Sequence, residues 1–271
     1  ALAAALAGFA LGLCGAAMQG LLRNPLAEPG VMGVSASAAL AATATVYFGL
    51  AASAAWLVPV ASIIGASAAT LLIAGAALRL RGMATLILIG VALSALAGAV
   101  MALFVNLAPN PFSLSDLLNW TAGSVANRDA GDIAMAMPFI ALGCLLLQLT
   151  RRSLGALTLG EETAHALGVN LPRLRLVIII GTGLATGGAV ALAGMIGFVG
   201  LVAPHLVRSA VGHDPARLLL PAGLVGAILA YQGRLRSARR MLASSLAVSS
   251  RIDHFNMTID STTALSWIAA L

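Results

Sequence analysis

Lysine is absent from this chain of 271 residues, and charged residues of all kinds make up only 9% of it. Without a lysine, a Walker A loop of the form G-x-x-x-x-G-K is impossible, so the chain does not bind ATP through that motif. No paired carboxylates, Ser/His/Asp set or Cys/His cluster indicates catalysis. We therefore expect a protein that is not an enzyme and that binds no cofactor itself.

Cysteine is also scarce, and the four histidines are scattered along the chain. Cys14 and Cys144 sit in different apolar segments and are interpreted as small buried hydrophobic residues. The sequence thus predicts neither a disulfide nor a metal site there. His205 follows Pro204, and no other histidine is placed to join it on one helix face. We expect His205 to pack or to form a hydrogen bond rather than to bind a metal.

Polar sequence is confined to short breaks over the first 230 residues. Hydrophobic residues make up 60% of the chain and the mean hydropathy is +1.00, which excludes an ordinary soluble domain. A helix needs about 20 apolar residues to cross a bilayer. Apolar segments occupy residues 1–22, 31–50, 56–78, 83–107, 132–149, 174–193, 195–210 and the stretch from 216 onward. The sequence predicts an all-α membrane protein, a polytopic helical bundle with about eight spans.

The arginines give this bundle an orientation. Ten of them lie in the first 230 residues, and alternating spans place nine on one side of the membrane. These nine are Arg23, Arg79, Arg81, Arg151, Arg152, Arg173, Arg175, Arg208 and Arg217. Short arginine-rich loops stay in the cytoplasm, so we predict a multi-pass protein in the lipid bilayer of the bacterial inner membrane. The net charge of +6 does not indicate a nucleic-acid partner, because the arginines are dispersed over short loops.

Two features have competing interpretations. Residues 181–188 read GTGLATGG, which resembles a dinucleotide fingerprint, but no alternating strands and helices surround them. Close packing of membrane helices is therefore predicted. No acid sits in the middle of a span, whereas proton- or sodium-coupled carriers commonly place one there. This counts against a secondary transporter, which we keep as an alternative.

Three motifs carry a resemblance to a known family. Residues 19–35 read QGLLRNPLAEPGVMGVS, residues 194–208 read GMIGFVGLVAPHLVR and residues 159–169 read LGEETAHALGV. In order and spacing they resemble permeases of the FecCD type, the membrane subunits of ABC importers for iron-siderophores, haem and cobalamin. The first signature loop comprises Arg23, Asn24, Pro25, Leu26, Ala27, Glu28, Pro29 and Gly30. The second signature comprises Gly197, Phe198, Gly200, Pro204, His205 and Arg208.

The resemblance implies a fold, a mechanism and partners. Family members are bundles of ten helices that form homodimers around a central path. A cytoplasmic ABC ATPase subunit uses the ATP, and a periplasmic or lipoprotein substrate-binding protein delivers the ligand. The expected function is therefore import of an iron-siderophore or a related metal chelate, such as haem or cobalamin, by alternating access. Siderophore, haem and cobalamin permeases share these motifs, so the chelate itself is left open.

The third motif resembles the segment that couples such permeases to the ATPase. Its expected residues are Gly160, Glu161, Glu162, Ala164, Leu167 and Gly168. Glu161 and Glu162 would favour the dipole at the start of a short helix, and Gly168 suits its C-terminal cap. Ala164 and Ala166 would leave a low-profile surface for a partner. The alternative is a solvated loop helix without a partner, and Arg173 and Arg175 are interpreted as topology anchors rather than contacts.

The outer loop and the translocation path are assigned more broadly. Residues 113–122 predict a short amphipathic helix anchored at the interface by Trp120. Asp116, Trp120, Arg128 and Asp129 are expected to meet the binding protein. Ser35, Ser37 and Asn106 are candidates to line the path, and packing is the alternative role for each.

The ends of the chain depart from the family pattern. We expect residues 1–230 to be a permease domain that is incomplete at both ends. Residues 231–271 hold five of the fifteen arginines and no apolar run long enough to span. This atypical polar Arg/Ser-rich tail is predicted not to be native permease sequence. A non-functional truncated permease fragment is therefore a further alternative, beside a proton-coupled secondary transporter.

Overall fold

The computed structural model describes residues 1–80, 82–126, 128–211 and 214–252, with residues 234–252 described as backbone only. Arg81, residues 212–213 and residues 253–271 of the predicted tail lie outside the described residues. The described chain contains twelve α-helices. They are α1 (Leu2–Leu22), α2 (Val34–Tyr47), α3 (Leu50–Ser53), α4 (Leu57–Arg79), α5 (Met83–Asn106), α6 (Pro111–Ala122), α7 (Ala130–Leu149), α8 (Arg151–Leu157), α9 (Glu161–Ala166), α10 (Leu171–Ala193), α11 (Val199–Val211) and α12 (Pro215–Ile252).

Eight of these helices are apolar, as predicted, but they differ in length. Within the described residues, six are long and apolar enough to cross a membrane: α1, α4, α5, α7, α10 and the 215–233 part of α12. A helix suits this setting because it satisfies its own backbone hydrogen bonds where water is absent. The other two, α2 and α11, have only 14 and 13 residues. The eight predicted apolar segments are therefore all helical, with six long enough to span within the described residues and those at 31–50 and 195–210 forming shorter helices.

Helices α1 and α10 form the centre of the bundle. They pack against each other, and α10 also packs against α4 and α7. Both are almost entirely buried, whereas α5 and α7 expose most of their surface. Small residues dominate the two central helices, which lets neighbouring backbones approach closely. In lipid, such close van der Waals contact is a main source of helix association.

The glycines at 181–188 are used for packing, as predicted. A Cβ on Gly183 would overlap Thr70, and one on Gly187 would lie 2.5 Å from the Cβ of Ala66, both on α4. On the opposite side of α10, Gly188 faces Ile140 of α7. Each of these approaches requires a residue without a side chain, so the glycine pattern is explained by two helix interfaces.

Helix α1 also packs closely against α11 and α12. A Cβ on Gly8 would overlap the carbonyl oxygen of Gly226, and one on Gly12 would overlap that of Ala222, both on α12. Gly15 is in the same relation to Gly200 at the start of α11. Since α1 and α12 meet with Gly8 opposite Gly226 and Gly12 opposite Ala222, the two helices run antiparallel.

The chain divides into two compact units, Ala1–Tyr231 and Gln232–Leu271. The first holds the bundle. In the second, the backbone is helical as far as Ile252. The prediction that residues 231–271 are not native permease sequence remains a prediction.

The Gly15 contact gives the first testable prediction. Gly15→Ala should lower the free energy of unfolding by about 1–3 kcal/mol, because the added methyl group must push α11 away from α1. Gly98→Ala is the matched control: Gly98 is also inside a transmembrane helix, but no atom lies within 4 Å of its Cβ position. The control should be neutral or stabilising by about 0.5–1 kcal/mol. Unfolding in mixed micelles, followed by circular dichroism, measures both, and equal effects would contradict the packing argument.

Candidate functional site

The first signature loop ends α1 and turns the chain back into the bundle. Arg23 closes α1 in the left-handed region, with φ of 50°. The Asn24 side-chain oxygen then accepts a hydrogen bond of 2.9 Å from the backbone N–H of Leu26, which forms a tight Asx turn. Pro29 begins the short 3-10 helix Pro29–Met32, and Gly33, with φ of 72°, links it to α2.

Contacts with α5 hold this loop inside the bundle. A Cβ on Gly90 would overlap the carbonyl oxygen of Val31, and the Ser94 hydroxyl donates to the Gly30 carbonyl over 3.4 Å. Gly90 is the eighth residue of α5, so it lies about 10 Å along the helix from its cytoplasmic end. The loop therefore packs about two turns along α5, and α2 starts well inside the bundle rather than at its surface.

The second signature begins its helix at a similar depth. Gly194 ends α10 with φ of 69°, and Phe198 also has a positive φ, 66°, and is exposed. Gly200 at the start of α11 contacts Gly15, which lies seven residues before the end of α1, again about 10 Å from the cytoplasmic end. Helix α11 thus starts inside the bundle, beside the last two turns of α1.

The two signatures meet, and we call their contact the signature junction: Gln19, Leu201 and Arg208, with Pro29 against Gly200. The Gln19 side-chain N–H donates to the Leu201 carbonyl over 3.4 Å, and an Arg208 guanidinium N–H donates to the Gln19 side-chain oxygen over 2.6 Å. A Cβ on Gly200 would lie 2.7 Å from Cδ of Pro29. One buried amide therefore joins α1 to both ends of α11.

Sequence reasoning included Gln19 in the first motif but gave it no role. The sequence did indicate that Gln19 is unusual, because it is the only residue of α1 with a side-chain amide. A buried amide in an apolar helix needs a hydrogen-bond partner, and an arginine in the second signature is a suitable one. What the sequence could not supply was the contact between segments 189 residues apart.

The predicted coupling segment is a short helix between two glycines of positive φ. Gly160, with φ of 104°, precedes α9, and Gly168, with φ of 85°, follows it. The N–H of Gly168 donates to the His165 carbonyl, and that of Val169 to the Ala164 carbonyl. This pair of bonds is a Schellman motif, so the predicted C-terminal cap at Gly168 is confirmed. Glu161, Glu162 and Leu167 are exposed, as a docking surface requires.

Two details of this segment correct the sequence interpretation. Ala164 is fully buried against the bundle, so it anchors α9 from beneath and does not form its outer surface. Arg175 is a contact rather than only a topology anchor. Its guanidinium donates to both carboxylate oxygens of Glu161 at 3.1 Å, with Arg175 the more buried partner. The pair fastens α9 to the first turn of α10.

The outer loop contains the predicted short helix, two residues longer at its start. Asn110 caps α6 by accepting a 2.8 Å bond from the Ser113 N–H, and Leu117 is fully buried beneath it. The guanidinium carbon of Arg128 lies 5.0 Å from the centre of the Trp120 ring, a cation–π distance. Asp129 accepts from the Asp132 N–H and caps α7, so its carboxylate is engaged within the chain.

The remaining candidates are dispersed. Ser35 and Ser37 are half-buried on α2, and Asn106 is exposed and donates to the Ala102 carbonyl within its own helix over 2.7 Å. Asp116 is exposed on α6. Their assignments to the path and to the binding protein remain predictions. His205 is exposed on α11, and the described residues contain no group of three potential metal ligands; its expected role also remains a prediction.

Comparison with known proteins identifies the family. The family described as the FecCD transport family matches residues 1–248. The chain belongs to this family. The resemblance found in the three motifs is thus confirmed, and the matched range includes the signature junction, the coupling segment and all eight apolar helices.

Individual relatives agree with this assignment. The uncharacterized ABC transporter permease protein YvrB of Bacillus subtilis is 39% identical over 229 residues, 83% of this chain and 64% of that protein. The hemin transport system permease protein HmuU of Yersinia pestis is 36% identical over 232 residues, 84% and 69% of the two chains. The vitamin B12 import system permease protein BtuC of Klebsiella pneumoniae is 36% identical over 244 residues, 90% and 73%.

A solved structure shares the fold. It is described as an inward-facing conformation of a metal-chelate type ABC transporter, and it superposes with a TM-score of 0.78 at 31% identity. The match covers 84% of this chain and 73% of the other. The predicted fold class is confirmed, and the protein is a multi-pass protein of the bacterial inner membrane. The chain spans between 64% and 73% of the length of these relatives.

The signature junction predicts a large effect of one amide. Gln19→Leu should lower the free energy of unfolding by about 1.5–3 kcal/mol, because it removes the partner of the Arg208 charge. Gln148→Leu is the matched control, since the Gln148 side-chain nitrogen is buried without a described hydrogen-bond partner. Removing it should be neutral or stabilising. Denaturation in micelles compares the two, and a Gln19 effect no larger than that of Gln148 would reject the junction.

The half-buried Glu28 predicts a pH dependence. Burial raises the pKa of its carboxyl, so the folded protein holds this proton to a higher pH than the unfolded chain does. Its stabilising contribution is complete below the ordinary glutamate pKa of about 4.3 and is lost as pH rises through the raised folded value. Glu28→Gln should therefore match the parent in Tm near about pH 4 and exceed it near about pH 8. A Tm difference independent of pH would contradict this.

Proposed function

We propose that this chain is the permease subunit of an ABC importer for an iron-siderophore or a related metal chelate such as haem or cobalamin. A separate cytoplasmic ATPase subunit drives alternating access, and a substrate-binding protein delivers the ligand on the outer side. The observation that carries the proposal is the coupling segment. It is a short, exposed helix on the cytoplasmic side, fastened to the central helix of a FecCD family bundle.

The contacts of α9 suit the transmission of force. Ala164 is buried against the bundle, and Glu161 is paired with Arg175 in the first turn of α10. A displacement of α9 by a partner therefore acts on α10 directly. Helix α10 packs against α1, α4 and α7, so the displacement reaches the centre of the bundle. The exposed Glu162 and Leu167 provide the polar and apolar contacts for that partner.

The signature junction supplies the second half of the mechanism. Helix α1 connects to α11 through Gln19, Leu201 and Arg208, and the first signature loop lies against the start of α11 through Pro29 and Gly200. Movement of α10 relative to α1 therefore moves both short helices. We place the cytoplasmic part of the translocation path beside these elements, with Ser35 and Ser37 on α2 among its lining residues.

The proposal also covers the outer face and the assembly. Trp120 and Arg128, paired with each other, present an aromatic and cationic surface beside the exposed Asp116 for the binding protein. The exposed leucines of α5, among them Leu88, Leu96 and Leu103, form an apolar face that suits a second copy of the chain in a homodimer. This chain contributes no catalytic residues and no cofactor, and ATP is used by the partner subunit.

A backbone-matched pair of variants tests the coupling segment. Gly168→Leu should abolish chelate uptake, because a leucine is strained at φ of +85° and distorts the end of α9. Gly49→Leu is the control: Gly49 also has a positive φ, +73°, and also has no atom within 4 Å, but it lies at the far end of α2. The control should keep uptake. Uptake of radiolabelled ferric siderophore, haem or cobalamin into cells or vesicles is the measurement, with membrane insertion checked by fractionation.

Two outcomes would overturn the proposal. Equal uptake by the Gly168 and Gly49 variants would remove the coupling role. Uptake that persists when ATP is depleted and the proton gradient is held would indicate a proton-coupled carrier instead. The described part of the six long helices carries its one carboxylate, Asp132, in the first turn of α7, which favours the ATP-driven result.

A further inference from the structure

One cavity of the bundle borders the coupling segment and has no ligand in the proposed import cycle. It is a cavity of about 620 Å³ at the cytoplasmic ends of α7 and α10, closed below by α8 and by the end of the coupling segment. Its membrane side is lined by Leu146, Leu149 and Val177, and its cytoplasmic side by Arg152, Arg173 and Ser153. The cavity is thus apolar towards the bilayer and cationic towards the cytoplasm.

The apolar side is continuous with the lipid-facing surface of α7. Leu142, Leu145 and Leu149 are exposed by 50%, 57% and 70%, and their spacing of three and four residues places them along one face of the helix. Leu149 both belongs to this stripe and lines the cavity. A hydrocarbon chain lying along α7 therefore leads directly into the cavity.

The cationic side lacks an acidic neighbour. No carboxylate lines the cavity among the described residues, and the nearby Glu161 is engaged by Arg175. The guanidinium groups of Arg152 and Arg173 have no carboxylate partner in the described part of the chain. The Ser153 hydroxyl and the Asn170 amide nitrogen add polar donors to the same wall, whereas the Thr150 hydroxyl is buried and donates to the Leu147 carbonyl. Two arginines with adjacent polar donors match the oxygen atoms of a phosphate group.

We propose that this cavity binds the headgroup of an anionic glycerophospholipid of the cytoplasmic leaflet. Arg152 and Arg173 hold the phosphate, and the acyl chains lie on Leu146, Leu149 and the exposed face of α7. Basic pockets between transmembrane helices on the cytoplasmic side are a known setting for such headgroups. The combination of charge and an apolar exit selects a lipid over a soluble anion.

The position of the cavity gives this lipid a further effect. Leu167 and Gly168, at the end of the coupling segment, line the same cavity. A bound headgroup therefore fills the space between α9 and the ends of α7 and α10. The lipid supports the coupling segment from the membrane side while leaving its exposed face free.

Native mass spectrometry of the full chain in detergent tests the proposal. The protein is titrated with dioleoyl phosphatidylglycerol and, separately, with dioleoyl phosphatidylcholine. Each arginine near the membrane surface strengthens binding about fivefold, so the Arg152→Gln/Arg173→Gln variant should lose about 25-fold in affinity for phosphatidylglycerol. Arg79→Gln is the control, because Arg79 is also exposed at the cytoplasmic end of a span but lines none of the cavities described. It should bind as the parent does.

Further measurements distinguish a lipid headgroup from free inorganic phosphate. Leu149→Asn should weaken phosphatidylglycerol binding, because it makes the apolar side of the cavity polar. Inorganic phosphate should displace the lipid only weakly. Equal affinity for the two lipids, or an equal loss in the Arg79 variant, would overturn the proposal. So would efficient displacement by inorganic phosphate, which would indicate a soluble-anion site. If the double variant binds lipid as the parent does but no longer co-purifies with the ATPase subunit, the cavity is a contact site for that subunit and the lipid proposal is wrong.

Discussion

The structure depends on how closely α1 approaches its neighbours. In a bilayer, burial of apolar surface gives little preference for helix contact over lipid contact, so association relies on packing and on a few hydrogen bonds. Helix α1 meets α12 at Gly8 and Gly12 and meets α11 at Gly15. At that separation the Gln19 amide reaches Leu201 and Arg208. The glycines therefore create the contact, and the amide fixes its register.

The coupling segment and the signature junction are connected through the same central pair of helices. Glu161 and Arg175 join α9 to α10, α10 packs on α1, and α1 carries Gln19. Helix α9 is thus connected to the depth at which α2 and α11 begin through direct contacts between helices.

Much of this architecture could be predicted from the sequence, because a bilayer penalises charge and unpaired backbone so strongly. Long apolar runs marked the helices of spanning length, and Gly168 marked a helix end, since each of these signals is local. The depth at which α2 and α11 begin could not be predicted, because an apolar run looks the same whether it crosses the membrane or starts inside the bundle. The Glu161–Arg175 pair and the burial of Ala164 were missed for a related reason. Both follow from how α9 folds against α10, which residue spacing alone does not determine.

The depth at which the short helices begin has a consequence for movement. Two parts of the bundle are not continuous helix: the 24–33 loop at the end of α1, and the 194–198 segment, which runs from the outer loop at Trp120 and Gly123 to Gly200. Bending a transmembrane helix means breaking backbone hydrogen bonds where no water can replace them. These segments have few such bonds to lose. Rotation of loop dihedrals about Gly33 and Gly194 would therefore move these two segments while leaving every long helix intact.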